Sequence, residues 1–153
     1  MTSPVQMGSW FVLGLLAALL GVSVWLDSAM PLVSIPPFAW TLPLLLAVAV
    51  LASAWQVRSL AKGGPARVNA LTAARIAILS QACGRGGMLL GGIGVGAWLA
   101  VDGSHAAYLD EQSARALWMG LTSVALGGAG LLGEWWCSID ENEDEPPAAA
   151  AGA

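Results

Sequence analysis

The sequence predicts an all-α membrane protein, a bundle of four transmembrane helices with both termini cytoplasmic. Three observations predict it. The chain has 153 residues, of which 57% are hydrophobic and only 10% charged, whereas a soluble domain carries about 25% charged residues. Its apolar residues gather into four long stretches, separated by segments that hold most of the prolines and charges. Eight tryptophans fall near the ends of those stretches: Trp10 and Trp25 around the first, Trp40 and Trp55 around the second, Trp98 late in the third, and Trp118 and Trp135–Trp136 around the fourth. Indole has an apolar body and one N–H donor, so it favours the headgroup level of a bilayer.

The first span covers residues 7–26 without a charge, and Asp27 ends it. No Lys or Arg precedes it and no small-x-small cleavage pattern follows it, so a retained helix is expected rather than a signal peptide. Pro31, Pro36 and Pro37 make the following connection an extended loop. The second span covers 38–57, with Pro43 in its first two turns, where a missing N–H costs least. A basic loop at 58–75 follows, carrying Arg58, Lys62, Arg67 and Arg75 around the breakers Gly63, Gly64 and Pro65. Asn69 is placed to cap an interfacial turn leading into the third span, 76–101. Asp102 and Gly103 end that span, a short polar loop holds His105, Tyr108, Asp110, Glu111 and Arg115, and the fourth span covers 116–136. The first 139 residues thus form the membrane domain. Residues 140–153 read as a disordered acidic tail ending in prolines and alanines.

Four of the six Lys and Arg residues lie in the basic loop, so the positive-inside rule makes that loop cytoplasmic. Both termini follow it inside. The net charge of −4 does not oppose this orientation, because Asp140, Glu141, Glu143, Asp144 and Glu145 supply five of the ten acids. Without them the chain would be slightly basic, and acids contribute little to the bias.

Arg85 is the sharpest candidate for a site. It lies nine residues past Ile76, on the order of 14 Å along a helix, and a charge inside a span is a functional hypothesis by default. Gln81 precedes it by four residues on the same helical face. Glu134 is the only acid inside a span. Two readings stand. In one, Arg85 pairs with Glu134 to lock two helices, or reaches outward to lipid phosphate. In the other, Arg85 among Gly84, Gly86 and Gly87 marks an anion or headgroup site at a locally opened helix.

Glycine spacing is the second signal. Gly87 and Gly91, Gly92 and Gly96, the series Gly127, Gly130 and Gly133, and Gly14, Ala18 and Gly21 repeat at helical intervals. Such stripes let helix backbones approach, and close packing is what holds helices together in lipid. No strand precedes Gly92–Gly94–Gly96, so these glycines do not form a nucleotide-binding turn.

Catalytic residues are not recognisable. His105 is the single histidine, and no Walker loop, zinc-protease pattern or nucleophile elbow occurs. Cys83 and Cys137 read as small buried thiols rather than a disulfide. No cofactor and no metal site are expected. The expected partners are the lipid bilayer, anionic headgroups at the basic loop and other membrane proteins, not nucleic acid. The function expected first is a non-enzymatic accessory or scaffold component of the bacterial cell envelope. The alternative is a small transporter-like or anionic-lipid-binding protein that uses Arg85.

The order of motifs also resembles a known family. Trp55-x-Val57-Arg58 closes the second span, Asn69, Leu71 and Ala73–Ala74–Arg75 lead into the third, and Gly133, Glu134, Trp136 and Cys137 precede an acidic tail with prolines. Over about residues 9–147 this layout is similar to the actinobacterial membrane family catalogued as domain of unknown function 3180. The resemblance implies four spans in a bacterial plasma membrane and no known reaction. It also implies a basic residue where this chain has Gln81, so Arg85 is either a displaced form of that charge or particular to this chain.

Overall fold

The computed structural model describes residues 3–28, 34–61, 70–101 and 107–141. Four α-helices make up most of them: α1 Pro4–Asp27, α2 Thr41–Ala61, α3 Ala70–Val101 and α4 Ala107–Glu141. Three contain stretches long and apolar enough to cross a membrane, Val5–Trp25, Arg75–Val101 and Tyr108–Trp136. The apolar stretch of α2, Thr41–Gln56, is shorter.

Local chemistry accounts for several ends that differ from the sequence expectation. α1 begins at Pro4, three residues earlier than expected, because Ser3 caps it. The Ser3 hydroxyl accepts from the Gln6 N–H at 3.3 Å, and the Gln6 side chain accepts from the Ser3 N–H at 3.4 Å. This reciprocal pair satisfies two donors that a helix start leaves bare, and Pro4 fits where no N–H is needed. α2 starts at Thr41 rather than 38, after turns at 37–40, and continues through Arg58 to Ala61. α3 absorbs the expected interfacial turn into one unbroken helix from Ala70. α4 starts at Ala107, so Tyr108, Asp110, Glu111 and Arg115 are helical rather than part of a loop. Asp110 in the first turn suits the positive helix end, and Glu111 pairs with Arg115 one turn later. At its other end α4 takes in Asp140 and Glu141. Lys62, Arg67, Asn69, Asp102, His105 and residues 142–153 lie outside the described residues.

The helices lie in the order α1, α3, α4, α2. Among the described residues, α1 comes within 8 Å between Cα atoms of α3 alone, while α2 lies mainly against α4 with a smaller contact to α3. Met7 meets Gly84 and Ala18 meets Gly96, so α1 and α3 run parallel. Gly84 meets Gly130 and Gly94 meets Ala116, so α3 and α4 run antiparallel. Ile35 is bonded to Gln112 and Gly133 faces Ala54, so α2 and α4 run parallel. This alternation places the end of α2 and the end of α4 together.

The interior is built from small side chains. Ala47, Val50, Cys83, Leu126 and Ala129 form the core where α2, α3 and α4 meet. Large apolar residues sit outside instead: Leu13, Leu16, Leu20 and Val24 on α1, and Leu42, Leu45 and Val48 on α2, are all at least half exposed. Water would drive such residues inward, whereas lipid tails are as apolar as leucine and leave packing to decide the interface.

Candidate functional site

Two glycine seams position everything else in α3. Toward α4, a Cβ on Gly87 would lie 2.5 Å from the Gly127 nitrogen and 2.7 Å from the Ser123 carbonyl oxygen. One on Gly94 would lie 2.5 Å from the Gly120 Cα, and one on Gly130 2.5 Å from the Gly84 nitrogen. Toward α1, Gly92 meets the Phe11 carbonyl and Gly14 meets the Leu89 carbonyl. These are backbone-to-backbone contacts, available only because no Cβ intervenes. The seams expected from spacing are present, with one exception: Gly21 faces open space.

Arg85 is placed by these seams. Gly84 and Gly87 both face α4, and each helical residue turns by about 100°, so Arg85 projects away from α4 on the α1 side. It is exposed, and neighbouring Gly86 meets nothing within 4 Å. Glu134 is four residues past Gly130 and so is level with the start of the span in α3, on the order of 10 Å along the axis from Arg85. The structure does not bring Arg85 and Glu134 together. Helix α3 is also not locally opened at Arg85, because Gly84 and Gly87 are occupied by packing within a continuous helix. Gln81 is half-buried on the same side as Arg85.

Arg85 lies inside the α3 span, and the contacts of α1 show what is level with it. The contacts of Met7 with Gly84 and of Phe11 with Gly92 put the α1 cap, Ser3, about level with Gln81. Arg85 is therefore about 6 Å past the start of α1, yet only two residues from Gly87 and ten inside the apolar stretch Arg75–Val101; its side chain leans back toward the α1 start. The same register puts Trp10 about level with Gly87, near mid-depth rather than at a boundary. Trp25, Trp98, Trp40 and Trp118 still gather toward one end, and Trp55, Trp135 and Trp136 toward the other. Helix stagger, which no single span reveals, moves Trp10 out of the belt.

A cluster that sequence reading missed lies where α2 and α4 end together. The Arg58 guanidinium carbon sits 5.2 Å from the centroid of the Trp136 ring. Trp55 packs edge-on against Trp136, with centroids 6.0 Å apart and planes at 75°. The signal was present: Trp55 and Arg58 are three apart, hence on one helical face. Arg58 is half-buried, and among the described residues no hydrogen-bond acceptor or carboxylate engages its guanidinium. Of the other basic candidates, Arg75 is exposed on α3.

At the opposite end, two side chains one turn apart on α4 hold a single residue. Gln112 accepts from the Ile35 N–H and Arg115 donates to the Ile35 carbonyl, each at 2.9 Å. This clamp ties the segment before α2 to α4. Gln112-x-x-Arg115 also has same-face spacing, but its backbone target cannot be read from sequence.

Two serines are fully enclosed in the α3–α4 seam. Ser123 donates to the Met119 carbonyl at 2.8 Å, whereas the Ser80 hydroxyl, 1% exposed, has no hydrogen-bond partner among the described residues. Cys83 is buried and free. Among the described residues no group of three or more His, Cys, Asp or Glu is placed to hold a metal ion.

Neither a curated protein nor a solved structure matches the chain. A family model does match, over residues 9–141, which takes in α1 from Ser9, the other three helices, the Arg58 cluster and both glycine seams. The chain belongs to the family described as "Protein of unknown function (DUF3180)".

Proposed function

We propose that the chain is a four-span protein of an actinobacterial plasma membrane that acts as a non-enzymatic accessory or scaffold component of the cell envelope. The carrying observation is the distribution of side chains: backbones meet backbones in the interior, and the large apolar residues face outward. Such an interior is filled by its own main chain and serves rigidity, while the outer faces suit lipid and other membrane helices. The fourth crossing is argued from α2. Its apolar stretch of 16 residues rises about 24 Å, less than a core of roughly 30 Å. Yet it lies alongside α4 from the level of Trp118 to that of Trp136, and Trp40 and Trp55 bracket it as those residues bracket α4. Local bilayer thinning accommodates such a shortfall at modest cost. The positive charges of the basic loop support a cytoplasmic position for both termini.

Affinity purification of the full chain from native membranes tests the scaffold reading. A stoichiometric protein partner that survives mild detergent supports it, and a chain recovered alone with lipid counts against it. The second reading, an anionic-lipid or transporter-like protein using Arg85, draws on the exposure of Arg85 and its lack of a partner among the described residues. Lipid recovered with the wild type and lost in Arg85→Gln would favour that reading instead.

A further inference from the structure

We propose that the Arg58–Trp136–Trp55 cluster binds the phosphate of an anionic membrane lipid headgroup. A guanidinium presents five N–H donors in a plane and stays charged at every relevant pH. Here stacking over Trp136 covers one face and fixes the orientation, with the carbon 5.2 Å from the ring centroid. Trp55 braces that ring from the side at 6.0 Å. The donor edge of Arg58 meets no acceptor among the described residues, although the side chain is half-buried. A partly desolvated cation with unspent donors binds an acceptor of opposite charge strongly.

Position identifies that acceptor. The cluster closes the apolar stretches of α2 and α4, which end at Gln56 and Trp136, and the exposed indoles of Trp55 and Trp135 lie at the same level. At that level of a bilayer the abundant acceptors are phosphodiesters, which match a guanidinium edge in shape and charge. Arg85 lies on the far side of α3 from α4, so the two arginines define separate places. The proposal rests on the membrane reading above and adds a binding site that Arg85 does not supply.

The test reconstitutes the full chain into phosphatidylcholine bilayers with trace spin-labelled phosphatidylglycerol or phosphatidylcholine. Electron spin resonance then measures the motionally restricted fraction of each. The wild type is expected to prefer phosphatidylglycerol, and Arg58→Gln to lower that preference about fivefold. Trp136→Ala should lower it as well, while Trp136→Phe, which keeps a ring under the cation, and Arg85→Gln should retain it. A preference that survives Arg58→Gln and vanishes in Arg85→Gln overturns the assignment, as does a wild type with no preference. Loss of the preference on adding inorganic phosphate would assign the site to free anion rather than lipid. A chain that restricts neither lipid would refute the membrane reading itself.

Discussion

Gly86 and Gly87 are neighbours in sequence, yet adding one methyl group to each should have different consequences. A Cβ on Gly87 would stand 2.5 Å from the Gly127 nitrogen, 2.7 Å from the Ser123 oxygen and 2.9 Å from the Gly127 Cα. Ordinary contact begins at 3.4 Å, and all three obstacles are backbone, so no rotamer change relieves them. The α3 and α4 axes must part locally by about 1 Å, a gap that forfeits a quarter to a half of the dispersion attraction at each affected contact. Overpacking of this kind costs about 1–3 kcal/mol. The helical preference of alanine returns about 1 kcal/mol, so Gly87→Ala should destabilise the packed helices by up to about 2 kcal/mol. Gly86 meets nothing within 4 Å, so Gly86→Ala keeps the helical gain unopposed and should stabilise the chain by up to about 1 kcal/mol. Reversible unfolding in mixed micelles with rising sodium dodecyl sulfate, followed by near-ultraviolet circular dichroism of the tryptophans, measures both. Equal midpoints for Gly87→Ala and Gly86→Ala would refute the backbone seam.

Other substitutions probe the remaining contacts. Ser80→Ala removes an enclosed hydroxyl that has no partner among the described residues and should stabilise the chain by about 1 kcal/mol, while Ser123→Ala loses only a bond within its own helix and should change little. The same detergent titration compares the two. Arg115→Ala frees the Ile35 carbonyl and should cost about 1–2 kcal/mol, with faster hydrogen exchange at the Ile35 N–H, which donates to Gln112, as the local readout. Arg85→Gln should leave folding and abundance unchanged, because Arg85 is exposed and away from Glu134. A marked loss of folded protein would restore the interhelical lock.

The all-helical class and three helices of spanning length were legible because lipid imposes a simple rule: long apolar stretches, few charges and indoles at the ends. The glycine seams were legible too, since Gly87 and Gly91, or Gly92 and Gly96, share a helical face whatever lies opposite. What sequence could not supply was the order of helices and their stagger. Reading each span alone placed Trp10 at a boundary, whereas the contacts of Met7 with Gly84 and Phe11 with Gly92 put it level with the middle of α3 and set the α1 start about one turn before Arg85. The same limit applies to Arg85 and Glu134: opposite charges on adjacent helices suggest a partner, but the azimuth fixed by Gly84 and Gly87 turns Arg85 away from α4. The Arg58–Trp136 contact depends on α2 and α4 ending side by side, and that juxtaposition exists only in three dimensions.

The proposed crossing of α2 bears the whole topology, and site-directed labelling tests it most directly. Single cysteines at Ser34 and Lys62 flank α2, placed in a background lacking Cys83 and Cys137. Treating intact cells with a membrane-impermeant maleimide should label Ser34→Cys at once and Lys62→Cys only after permeabilisation. Labelling of both positions from the same side would contradict a four-span protein.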